Sequence, residues 1–259
     1  MLAGLDQISF YHGTSDWHAR RIIAGGVSDY YLQRIGALEV AKQLYTLALA
    51  RVSNWTELGK LFHQHGSKFW AAGPIGLKNV SDGLQKSSAA YGSFYVTLSP
   101  QIAVSYATRN QAGSELLSII EDTIMVLRAC NEPRINHVLD HYPELRACLA
   151  HSHRPVVLEF SRLSLASLEK EDGGSVLVDG GMGEDVDYIS FCLEMVSKGV
   201  RLPSAFRVKR MPADSLVGVY SIPDPVPKNL CDPSDPLAHF DNAAFRALKL
   251  KPISWMQSS

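Results

Sequence analysis

The chain has 259 residues, 46% of them hydrophobic and 20% charged, which suffices to bury one sizeable core in a single domain with insertions or a domain with a small appendage. With 25 basic and 26 acidic residues the formal net charge is -1, which excludes a whole-chain field that draws the protein to nucleic acid or an anionic membrane. Four scattered cysteines, Cys130, Cys148, Cys192 and Cys231, contain no CxxC pair and are too few for a disulfide scaffold, so they are read as reduced thiols of a cytosolic-type protein. The opening MLAGLDQISFYHG carries no basic signal-peptide region and reaches Asp6 and Gln7 early. No stretch approaches the ~18 to 20 apolar residues of a membrane helix.

The first predicted element is a strand at Ile8 to Tyr11, which stops at His12-Gly13 and, read alone, ends in a turn. A helical stretch runs from Asp29 to Gly66, with Leu32, Ile35, Leu38, Leu44, Leu47, Leu49 and Val52 at roughly helical spacing and a second start signal at Asn54. Ser93 to Leu98 reads as the second strand. Ser99 and Pro100 then cap a helix bearing Ala103, Tyr106 and Ala107. A second helical block spans Ser114 to about His151, interrupted at Pro133 and Pro143. Pro155 to Phe160 (PVVLEF), Ala205 to Val208 and Leu216 to Ile222 complete the strands, each short and rich in β-branched or aromatic residues. Between them, Leu165 to Gly199 reads as a glycine-rich loop, with glycines at 173, 174, 180, 181 and 183. After Ile222 the sequence PDPVPKNLCDPSDP predicts an extended linker, followed by a short amphipathic DNAAFRALKL, so the body is expected to end near residue 223. Both helical blocks are thus expected as insertions, about 29–66 and 114–151, between strands of an α+β fold.

The glycine clusters GGMGED and AGPIGL lack the spacing of a phosphate-binding loop. His63 with His65, His151 with His153, and His137 with His141 could each furnish two metal ligands, but no partner acids or thiols complete a set, and solvated surface histidines account for them better. No GxSxG elbow occurs.

Two separated stretches carry a sharper signal. ISFYHGTS puts His-Gly-Thr after a strand, and GSFYVTLSPQIAVSYA puts Tyr95 on a strand and Tyr106, eleven residues on, in the next helix. With the closing AFRVKRMPADSLVGVYSI, these resemble the His-Tyr class of the ADP-ribosyltransferase fold, the class of diphtheria toxin and the poly(ADP-ribose) polymerases. The resemblance covers about three pieces of the body and neither helical block. It implies a split antiparallel β-sandwich with helical insertions, and NAD as co-substrate. It further implies that His12 bonds the adenosine-side ribose, that Gly13 with the adjoining Thr14 forms the edge where main chain meets the nicotinamide amide, and that Tyr95 and Tyr106 sandwich the cationic pyridinium ring. The reaction passes through an oxocarbenium-like state, so the site must stabilise positive charge on the ribose.

In one respect the sequence departs from the family. The glutamate expected to begin the penultimate strand is replaced by Ala205. Glu184 and Asp187 of the glycine-rich loop, with Asp185 beside them, are the preferred substitutes, and Glu194 is another; a site working without the acid is the third. The resemblance implies a bacterial toxin or effector that transfers single ADP-ribose units to a protein side chain. Ubiquitin is one such acceptor, and the helical insertions would recruit it. It also implies a cytosolic protein that enters a host cell without a cleavable signal. The competing expectations are a nucleic-acid acceptor, for which only Arg20 with Arg21 and the trio Arg207, Lys209, Arg210 offer a basic groove, and a catalytically silent partner-binding module.

Overall fold

The computed structural model describes residues 8–26, 35–52, 55–64, 94–110, 112–164, 167–170, 192, 205–208, 214–230 and 240–250. The chain divides into two compact units, one of Met1–Asp29, Ser93–Gly113 and His153–Ser259, the other of Tyr30–Gly92 and Ser114–Ser152.

The first unit is built on a sheet with seven strands among the described residues: β1 (Phe10–Ser15), β2 (Phe94–Thr97), β3 (Pro155–Phe160), β4 (Leu168–Lys170), β5 (Ala205–Val208), β6 (Leu216–Ser221) and β7 (Lys249–Leu250). The strand order is β4-β5-β2-β1-β3-β6-β7 and every pairing is antiparallel, so the class is α+β. Side chains alternate across the pleat. Phe10, Phe94, Val96, Val156, Leu158, Phe206 and Val208 therefore bury one face in a common core. Phe10 against Phe206 and Phe94 against Phe160 meet edge to face, at 6.2 and 5.8 Å between ring centroids. On the other face Tyr11, Val157 and Tyr220 are covered by α4 (Pro100–Arg109) and α8 (Asn242–Ala247). The expected cap of α4 forms, with the Ser99 hydroxyl accepting from the Ile102 amide at 3.3 Å and Pro100 at the first position. A further helix, α1 (Asp16–Gly25), follows β1 directly.

Strand β1 corrects the sequence reading. It runs through His12 and Gly13 to Ser15, in unbroken register with β3 from Phe10↔Phe160 to Ser15↔Pro155. The local turn signal of His-Gly is overridden by pairing with a strand more than 140 residues away. The glycine has another cause: a Cβ on Gly13 would lie 2.0 Å from the Ala103 carbonyl oxygen and 2.9 Å from the Ala107 nitrogen, so α4 lies flush against the strand.

The residues after 223 also differ from the expected linker and tail. Val226 and Leu230 pack on the sheet, β7 pairs with β6, and Phe245 is wholly buried with its ring stacked on Tyr220 at 4.2 Å. Arg246 donates to Glu159 at 2.7 Å and to the hydroxyls of Tyr220 and Tyr11, each at 2.6 Å. Burial works to raise the Glu159 pKa, but the bonds from Arg246, Tyr220 and Ser9 outweigh it and hold the carboxyl below its usual range.

The second unit is helical among its described residues: α2 (Ala37–Leu49), α3 (Trp55–Gln64), α5 (Glu115–Ala129), α6 (Ile135–Asp140) and α7 (Pro143–Ala150). The breaks fall at the predicted prolines, and α3 begins directly after the start signal at Asn54. Leu44, Leu58, Phe62, Leu117 and Ile120 are buried in it. Glu132, buried, accepts from Arg134 at 2.7 and 2.9 Å and from Arg51 at 2.6 and 2.9 Å. No helix among the described residues is long and apolar enough to cross a membrane.

Candidate functional site

The sheet of the first unit is joined unevenly. β1 pairs with β3 over six positions, but with β2 only at Tyr11↔Thr97. In an antiparallel strand successive residues turn their N–H and C=O groups to alternate sides. The Asp16 amide donates to the Arg154 carbonyl at 2.9 Å, on the β3 side, so the main-chain groups of Tyr11, Gly13 and Ser15 turn toward β2. At Tyr11 they meet Thr97. At Gly13, which is buried, the ladder with β2 has already ended.

His12 occupies that parting. Its Nδ1 lies 2.7 Å from the Tyr95 carbonyl oxygen and its ring 4.1 Å from that of Phe94. A carbonyl only accepts, so Nδ1 carries the proton. Burial lowers the His12 pKa to about 4, which keeps the ring neutral at pH 7. Neutral and protonated on Nδ1, it leaves Nε2 as a hydrogen-bond acceptor, suited to a hydroxyl donor.

Tyr95 is two positions along β2 from Thr97, and directly opposed residues share a face, so its side chain is on the α4 side of the sheet. Tyr106 lies on α4 itself, nearly one turn beyond Ala103, and is 41% exposed. His12 and Tyr95 are thus neighbours where the strands part, with the His12 ring on the face of Phe94 and Tyr95 on the face of α4, which carries Tyr106. Thr14 is buried and its hydroxyl donates to the Gly113 carbonyl at 3.0 Å, tying β1 to the segment after α4.

The acids named from sequence, Glu184, Asp185, Asp187 and Glu194, lie outside the described residues. Ala205 is at the predicted place, first in β5 and opposite Thr97. Its neighbour in β5, Arg207, opposes both Tyr95 on β2 and Glu169 on β4, and its Nη2 lies 2.9 Å from Glu169 Oε2. Tyr95, Arg207 and Glu169 therefore form one row across three strands on one face. The sequence reading placed Glu169 in a loop, because a strand of three residues shows no alternation to detect.

Around the parting of β1 and β2 lie a neutral histidine on one face of the sheet and, on the other, Tyr95 with the Arg207–Glu169 pair in its row. Compared with known protein families, curated proteins and solved structures, the chain finds no match in any of the three.

Proposed function

We propose that the protein is an NAD-dependent mono-ADP-ribosyltransferase with the split-sandwich fold of the His-Tyr class. The observation that carries this reading is the parting of β1 from β2 at Gly13, with the His12 ring lodged in it and bonded to the Tyr95 carbonyl. In this reading the main chain of Gly13, unpaired with β2, supplies the donor and acceptor for a carboxamide. Nε2 of neutral His12 accepts from a ribose hydroxyl, and the faces of Tyr95 and Tyr106 suit a pyridinium.

In the reaction the bond between ribose C1′ and the nicotinamide nitrogen breaks, its electron pair going to the nitrogen. The acceptor's lone pair forms the new bond to C1′, and the acceptor proton leaves to water. A protein side chain is the proposed acceptor, ubiquitin being one candidate, with the helical unit recruiting it. A nucleic-acid acceptor is less well supported, because Arg207 of the basic trio is already paired with Glu169.

The test is incubation with labelled NAD and a cell lysate. A discrete labelled protein band is the expected result; label in a nuclease-sensitive fraction moves the acceptor to nucleic acid. Tyr95→Ala and His12→Ala should each reduce labelling by about 10²-fold or more, the usual loss for a transition-state contact. Undiminished labelling in both would remove the site, and no label with no NAD hydrolysis would remove the function.

A further inference from the structure

We infer that Arg246 is a positioning residue of the candidate site: through Tyr11 it sets where β1 leaves β2, and so where the His12 ring lodges; the inference rests on the function proposed above for what that site binds. Three adjacent strands converge on this one guanidinium. Its Nη2 donates to the Tyr11 hydroxyl of β1, and its Nη1 to Glu159 of β3 and to the Tyr220 hydroxyl of β6. Tyr11 opposes Glu159 on one side of β1 and Thr97 on the other, and the Thr97 pairing is the only rung to β2 among the described residues. The next residue is His12, whose Nδ1 donates to the Tyr95 carbonyl of β2. Arg246 therefore holds the side chain of the residue at which the two strands part.

The contacts of Tyr11 make that hold specific. Its hydroxyl is 3.4 Å from Glu159 but 2.6 Å from Arg246, so the short bond to the guanidinium fixes the end of the side chain, while the ring meets Phe245 edge to face at 6.1 Å. A guanidinium presents its donors in a rigid planar fork, which suits three fixed acceptors on three strands. The two residues of α8 divide the work. Phe245 is wholly buried and anchors the helix, whereas the Arg246 side chain is 48% exposed, so removing its guanidinium takes away little buried apolar surface. Glu159 then keeps the Tyr220 and Ser9 hydroxyls and has Lys249 at 4.0 Å, so its charge is not left bare. Six rungs tie β1 to β3. With Arg246 gone, the single rung to β2 is the joint that gives, and the bond from His12 to the Tyr95 carbonyl goes with it.

The experiment compares wild type, Arg246→Met, Tyr11→Phe and the double variant. Hydrogen exchange reads the amide at position 11, which turns toward β2, against the His12 and Thr14 amides, which turn toward β3; proton NMR reads the His12 Nδ1 proton, and NAD hydrolysis is followed alongside. Arg246→Met should speed exchange of the position-11 amide and of the His12 Nδ1 proton by about tenfold or more, leave the His12 and Thr14 amides within about threefold, and raise KM for NAD by about tenfold or more. Tyr11→Phe, which removes only the hydroxyl that Arg246 bonds, should do the same, and the double variant should add no more than about threefold, because both changes cut one path. Uniform loosening of all the β1 amides is the mark of a merely structural residue and overturns the inference. So does a position-11 amide and His12 proton within about threefold of wild type in Arg246→Met, or a double variant whose effects multiply. Should Arg246→Met not fold, Tyr11→Phe decides by the same limits. Wild type that neither binds nor hydrolyses NAD overturns the proposed function, and the exchange and NMR readings still decide the positioning of His12.

Discussion

Gly13→Ala separates a packing requirement from a functional one. In an ordinary strand, glycine to alanine stabilises by roughly 0.5–1 kcal/mol, because the unfolded chain loses freedom. Here the new Cβ would stand 2.0 Å from the Ala103 oxygen and 2.9 Å from the Ala107 nitrogen. A carbon-oxygen contact settles near 3.3 Å, so the shortfall is about 1.3 Å. Both obstacles are helix backbone, which cannot rotate aside, and α4 must shift bodily. Overpacking of this kind costs about 1–3 kcal/mol; with two backbone contacts the upper part of that range applies, for a net loss of about 2–3 kcal/mol. Tyr106 rides on α4, and a displacement near 1 Å at a reacting centre costs about 10²-fold in rate. Urea unfolding gives the stability, and hydrogen exchange of the Tyr11–Ser15 amides places the loss in β1. Gly59→Ala in α3 is the control, because a Cβ there meets nothing within 4 Å, and it should stabilise by about 0.5–1 kcal/mol. Gly13→Ala with unchanged or higher stability would refute the reasoning, since β1 and α4 could not then be this close.

Phe245→Ala should destabilise the first unit by about 3–5 kcal/mol, because it empties the wholly buried ring site stacked on Tyr220; thermal and urea unfolding measure it, and a loss under about 1 kcal/mol would contradict the docking of the tail. His12 and His18 should make that unit acid-sensitive. Burial lowers both pKa values, to about 4 and about 3, and His153 adds to the effect on His18, so the native state resists a proton that the unfolded chain binds near pH 6.5. Stability is then fully present above about pH 6.5 and falls as pH drops toward 4, by about 1.4 kcal/mol per pH unit for each histidine; unfolding midpoints between pH 4 and 7 test this, and a flat profile would contradict it. Glu132→Gln should lower the melting temperature of the helical unit and weaken its stability at neutral pH. Bonds from Arg134 and then Arg51 hold the Glu132 carboxyl down near pH 2, so the stability it contributes is present above about pH 4.5 and fades toward pH 2.

The sequence made elements legible where local chemistry and tertiary pairing agree. PVVLEF and LVGVYS are short β-branched and aromatic runs and are paired on both sides. Ser99-Pro100 and the prolines at 133 and 143 set helix boundaries by main-chain constraints that no partner can alter. Legibility failed where the deciding partner is remote. His12-Gly13 carries a turn signal, yet the β3 ladder extends the strand through it, and the glycine answers to a helix about ninety residues downstream. The tail shows only a short amphipathic run; what fixes it is Arg246 meeting Tyr11, Glu159 and Tyr220, separated from it by up to 235 residues. Glu169 is the sharpest case. Three residues of strand carry no period, and the acids that drew attention were those clustered after glycines, where composition alone is conspicuous. Its place in the sheet is visible only from register, because β5 stands between β4 and β2 and aligns Glu169 with Tyr95 through Arg207.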